Sequence, residues 1–165
     1  MSLQEGWVAL LEQHLEQTGQ AYSTVNASMS GETTGGGLRR LDSLLATHAP
    51  AIVIIELGGN DGLRGYPVKQ MRDNLTQMVS LAQASGARVV LLPTEIPPNL
   101  GPVYTQMFRQ SYSHVAEATG ATLGPFLLEK VALEPALMQS DGIHPTAEAQ
   151  PILLETVLKT IESAL

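Results

Sequence analysis

Cysteine is missing from all 165 residues, which removes disulfide staples, thiolate metal sites and a cysteine nucleophile together. It does not fix the compartment, because proteins of oxidising compartments also do without disulfides. Basic residues are scarce: Lys and Arg number 9 against 16 Asp and Glu, a net charge of -7. That balance disfavours nucleic acid and anionic membrane surfaces as partners, since both demand clustered cations, and Arg39-Arg40 is the one adjacent basic pair. No apolar run reaches the roughly 18 residues of a membrane span, and the start lacks the charged-then-apolar pattern of a secretory signal. The chain reads as a soluble protein. Internal repeats and low-complexity tracts are absent, and the length fits a single domain over residues 1–165.

What is present is organised around residues 51–64, an apolar run rich in β-branched types that stops in a Gly-rich polar turn. The run suits a parallel strand buried on both faces. Open α/β sheets bind ligands just outside the C-terminal ends of such strands. Gly58, Gly59, Asn60 and Asp61 therefore stand where chemistry is placed. Glycine lets backbone pass close to a ligand, and the Asn60 amide can donate to a developing oxyanion. Taken alone, the same stretch reads better as a plain turn, and its partners elsewhere change that balance.

Around it the chain alternates. Trp7, Leu10, Leu11 and Leu15 recur at helical spacing within residues 4–17, with His14 an ordinary helix residue beside the stripe. A short strand is expected at 21–26, then a small-residue loop ending at Thr33 or Thr34, either able to cap a helix bearing Leu38, Leu41, Leu44 and Leu45. Gly35-Gly36-Gly37 lacks the Gly-Lys-Ser/Thr ending of a P-loop, so nucleotide binding is disfavoured. A methionine-containing stripe predicts a helix over 67–85, and strands are expected at 88–92 and 121–123. A Pro-rich loop at 94–102 forms a candidate pocket wall, followed by a helix over 103–119 that carries His114 on its surface. A closing helix is expected from Pro145 onward. The order implies a parallel sheet with helices on both faces.

Asp141 and His144 lie three residues apart in a turn held by Gly142 and Pro145. That spacing allows the carboxylate to accept from the imidazole and fix its tautomer, leaving the ring as a general base. A metal site is disfavoured, since no further histidines cluster with the pair. Together with this turn, Asn26-Ala-Ser-Met-Ser-Gly-Glu-Thr33 and Glu56-Leu-Gly-Gly-Asn-Asp-Gly-Leu-Arg-Gly65 resemble, in order, three of the four sequence blocks of the SGNH (GDSL-type) hydrolases. The likeness is nearest the bacterial thioesterase, lysophospholipase and arylesterase branch. It implies a flavodoxin-like α/β/α fold and hydrolysis of small carboxylic esters or thioesters through an acyl-enzyme, with no cofactor and no metal. It implies Gly31 and Asn60 as oxyanion donors, His144 as general base and Asp141 as its orienter. Tyr66, Ile96, Pro97, Tyr104 and Met138 would line an acyl groove, a set that structural packing explains equally well.

One block does not match. The family's first strand ends in Gly-Asp-Ser, which supplies the nucleophile, and no Gly-Asp-Ser occurs here. Met1-Ser2-Leu3 runs straight into a helical pattern, so Ser2 reads as a coincidence or a tag remnant, and no nucleophile is identified. In the flavodoxin-like strand order the absent first strand is central, lying between those at 21–26 and 51–57. Three options stay open: an N-terminal extension supplies it, the two strands pair directly, or a second copy fills the gap by strand exchange. The family's parent proteins are periplasmic or secreted, whereas a chain complete as written would be cytoplasmic. Alternatives from other classes are a non-catalytic acyl- or lipid-binding α/β module and a flavodoxin-like nucleotide binder.

Overall fold

A computed structural model describes residues 5–165, so the readings made for Ser2 and Gln4 lie outside the described residues. The chain forms two compact units, one made of residues up to Ser28 with Leu127–Glu162, the other of Met29–Phe126 with Ser163–Leu165.

The second unit holds the sheet. Its strands β1 (Ile52–Ile55), β2 (Arg88–Leu91) and β3 (Thr122–Leu123) are parallel, in the order β1-β2-β3, with Ile52 opposite Arg88 and Leu91 opposite Leu123. The helices of this unit are α2 (Thr34–His48), the short α3 (Gly59–Leu63), α4 (Val68–Ala84) and α5 (Pro102–Thr119). Helix α4 packs against α2, α5 and β2. Its stripe of Val68, Met71, Leu75, Met78, Val79 and Ala82 is buried throughout, as the 3.6-residue spacing requires. These side chains join Leu41, Ile55, Val89, Leu91, Phe108 and Val115 in one hydrophobic core. Phe108 and Tyr112 meet edge to face with centroids 5.8 Å apart. Thr33 caps α2 by accepting from the Gly36 N–H at 3.2 Å.

The expectation of a strand at 51–57 buried on both faces is corrected in detail. Ile52, Val53 and Ile54 are half-buried and Ile55 alone is buried, whereas Val89, Val90 and Leu91 of β2 are all buried. The cause is position, since β2 has a neighbour on each side and β1, among the described residues, pairs with β2 only. Residues 21–26, expected as a strand, join no ladder among the described residues and run as a bend and irregular chain. A strand exists only where a neighbour takes up its backbone groups.

In the first unit α1 (Trp7–Gln17) packs on α6 (Gln150–Glu162). Leu11 and Leu15 of α1 and Leu153, Val157 and Ile161 of α6 are buried. The Trp7 N–H donates to Oε1 of buried Gln150 at 3.0 Å, and His14 meets Glu162 at 3.1 Å. Helix α6 begins at Gln150, not at Pro145 as expected. Residues ahead of it are held in a hairpin instead: Gln139 N–H donates to His144 O at 2.7 Å, Thr146 N–H to Leu137 O at 2.8 Å, and Met138 bridges Pro145 antiparallel. Backbone committed to those bonds is unavailable to a helix.

Candidate active site

The hairpin at 137–146 of the first unit positions Asp141 and His144. At its tip Asp141, Gly142, Ile143 and His144 form a tight turn, with Gly142 at φ +67, a conformation that favours glycine. Asp141 Oδ1 accepts from the Ile143 N–H at 2.9 Å and the His144 N–H at 3.0 Å. Its Oδ2 lies 2.7 Å from His144 Nδ1. The carboxylate thus takes its place from the backbone and passes that placement to the ring. These bonds hold the Asp141 carboxyl well below the usual carboxylate range, the His144 ring contact contributing most and the two backbone donors next. Nδ1 becomes the donor to a carboxylate that stays ionised, which leaves Nε2 with its lone pair for a proton.

Met138 is half-buried and lines, with Ala132, Leu133, Pro135 and Gln139, a shallow groove of about 380 Å³ on this unit. Leu133 is 91% exposed on its rim.

Within the sheet unit, two segments carry Gly31 and Asn60. Gly31 sits at φ +73 just before α2, and Asn60 lies in α3, directly past the C-terminal end of β1. Gly58 introduces α3 at φ +123, and a Cβ there would run into the Tyr112 hydroxyl, so the turn requires glycine. That hydroxyl donates to Leu57 O at 2.9 Å and is bonded to Thr94 Oγ1 at 2.6 Å, which fastens the strand end to α5. The two segments are tied to one another: Asn60 Nδ2 donates to Glu32 O at 3.0 Å and Arg64 to Gly31 O at 3.1 Å. One N–H of the Asn60 amide is thereby used for orientation, and the amide carries a second. Buried Asp61 and Thr34 form a further link that sequence reading missed, because the partners are 27 residues apart.

Of the expected groove residues, Tyr66 and Tyr104 are brought together, the Tyr104 hydroxyl donating to Tyr66 O at 2.7 Å. Ile96 is 6% exposed and belongs to the core, while Pro97 is exposed beside it. His114 is exposed on α5 and lines a shallow groove with Arg72 and Thr76. Among the described residues no cluster of His, Asp and Glu has the form of a metal site. No helix among them is long and apolar enough to cross a membrane.

Glu56, the residue after β1, keeps an exposed side chain, yet the protein around it strips enough hydration to push its carboxyl up to about 7. The folded state then binds more protons than the unfolded one between about pH 4.5 and 7, so stability is full below that window and falls as pH rises through it. Solvent contact limits the size of the effect. Thermal unfolding of Glu56→Gln is expected to lack part of this decline, so that the variant gains on the parent between pH 5 and pH 8. Parallel curves would show that Glu56 is ordinarily hydrated.

Residues 2–151 match the GDSL-like lipase/acylhydrolase family. The chain belongs to that family. It is 50% identical over 161 residues to esterase TesA of Pseudomonas aeruginosa, covering 98% of this chain and 80% of that protein. It is 40% identical over 162 residues to thioesterase 1/protease 1/lysophospholipase L1 of Escherichia coli K12, covering 98% and 76%. A solved structure of the psychrotrophic esterase EstA from Pseudoalteromonas sp. superimposes with a TM-score of 0.95 at 44% identity, covering 99% of this chain and 89% of that one. The parallel α/β fold is that of the SGNH hydrolases, and the chain is an ester-hydrolysing enzyme of the GDSL type.

Proposed function

We propose that this GDSL-type chain hydrolyses small carboxylic esters or thioesters by an acyl-enzyme route. His144, oriented by Asp141, takes the proton of the attacking hydroxyl at Nε2 and returns it to the leaving alcohol or thiol. The Asn60 amide and the Gly31 N–H receive the negative charge that builds on the carbonyl oxygen. The observation that carries this reading is the bond of 2.7 Å between His144 Nδ1 and an Asp141 carboxylate already locked by two backbone donors. It is the arrangement that fixes the ring tautomer, so that the proton is taken up and given back at Nε2. The nucleophilic hydroxyl is assigned to none of the described residues. Water completes the cycle by attacking the acyl-enzyme, with the same imidazole as base.

The test is turnover of p-nitrophenyl acetate and butyrate by the full chain and by Asn60→Ala. Donors that act on the developing oxyanion work in the transition state and not on the bound ester. Asn60→Ala is therefore expected to lower kcat by about 10²–10³ with KM little changed. Unaltered kcat in that variant, or a loss confined to KM, would remove Asn60 from the oxyanion hole.

A further inference from the structure

Between the segments that carry the two assigned donors lies a carboxylate for which the reaction has no direct use. Asp61 is 3% exposed, and among the described residues no cation pairs with it. Its Oδ2 accepts from the Thr34 N–H at 2.8 Å and its Oδ1 from the Thr34 hydroxyl at 2.5 Å. Asn74, from α4, donates to the same hydroxyl at 3.0 Å, which turns the hydroxyl proton toward Asp61. Thr34 is wholly buried, so neither partner exchanges its bonds for water.

Asp61 follows Asn60 directly, and Thr34 comes two residues after Glu32, whose carbonyl accepts from the Asn60 amide. The links therefore close a small ring: one peptide unit joins Asn60 to Asp61, two hydrogen bonds join Asp61 to Thr34, backbone runs back from Thr34 to Glu32, and one hydrogen bond returns to Asn60. In a ring this short no member moves alone. We infer that Asp61 is the positioning residue of the oxyanion donors, clamping the Gly31–Thr34 segment to the turn that bears Asn60 so that both donors face one point.

A purely capping role for Asp61 at the start of α2 explains less. A neutral acceptor would satisfy the Thr34 N–H without bringing a charge out of water. Ionised acceptors form shorter bonds, roughly twice as strong as neutral ones, and such bonds hold position more stiffly. Donors to an oxyanion need that stiffness, since they act only if already aimed.

The inference rests on the reading of Gly31 and Asn60 as donors, and its test separates the two. With p-nitrophenyl butyrate and the full chain, Asp61→Asn is expected to lower kcat about tenfold, less than loss of a donor, with KM within about twofold. In the Asn60→Ala background the same substitution is expected to cost clearly less than about tenfold, because one of the two donors it aims is gone. An equal loss in both backgrounds would mean that Asp61 serves the fold alone, and would overturn the inference. Thr34→Ser, which keeps both bonds, should retain the parent kcat, while Thr34→Val should behave as Asp61→Asn does. This pair decides the matter if Asp61→Asn does not fold.

Should the parent chain turn over no ester, the hydrolytic reading fails, and the clamp is then judged by nuclear magnetic resonance. Displaced resonances of the Asn60 side-chain amide and the Gly31 N–H in Asp61→Asn uphold it. If the Thr34 N–H shifts while those two stay in place, it is overturned.

Discussion

In His144→Ala, turnover of p-nitrophenyl esters is expected to fall by about 10⁶, the scale seen when the base of such a constellation is removed on its own. The loss is large because the step is concerted: without an acceptor for its proton, a hydroxyl is a poor nucleophile at neutral pH. The side chain of His144 is 65% exposed and, among the described residues, its ring makes one bond, to Asp141, which keeps both backbone donors when the ring goes. Circular dichroism and the unfolding temperature are accordingly expected to stay near those of the parent, so that the rate change reports chemistry. The same exposure offers a sharper check. Imidazole added to the buffer can reach the vacated place and is expected to restore part of the rate in His144→Ala while leaving the parent unaffected. A variant that keeps more than about a hundredth of the parent rate would show that His144 is not the base.

The helices of this chain were legible because burial on a helix repeats with its turn. The α4 stripe could be read from letters alone, and so could a threonine cap on α2, which the letters left open between Thr33 and Thr34 and the structure gives to Thr33. Asp141 and His144 were legible as a pair because their partnership is local, three residues and one glycine apart. What escaped was whatever depends on a distant neighbour. Residues 21–26 have the composition of a strand, but composition carries no information about a ladder partner. β1 reads as buried on both faces, although among the described residues it pairs with β2 alone and is half-buried, while β2 takes the centre. The start of α6 was placed too early because the bonds that hold 137–146 as a hairpin join residues whose letters suit a helix start as well. In the sequence Asp61 is one letter of a motif, and its partner Thr34 one of two candidate caps. Only coordinates could connect them.

Asp141→Asn separates the presence of a general base from its correct proton state. Oδ1 would still accept from the Ile143 and His144 N–H groups, so the turn would survive. The amide nitrogen would then stand in place of Oδ2 and donate to Nδ1. That contact forces the ring proton onto Nε2, the nitrogen that must be empty to accept. The expected outcome is a fall in kcat of about 10⁴ with little change in KM. Because the wrong tautomer is not a titration, raising the pH should not bring the rate back.

In the parent the sign runs the other way from a base that switches on with pH. The Asp141 carboxyl is held below the ordinary carboxylate range, so its contribution is present above the unfolded value of about 3.9 and is lost only as pH falls through the lowered one. Any acid limb of the rate between pH 5 and 7 therefore belongs to another group, and Asp141→Asn is expected to lower the rate across the whole profile. A rate within tenfold of the parent would mean that the carboxylate does not set the tautomer, leaving Asp141 as a turn residue only.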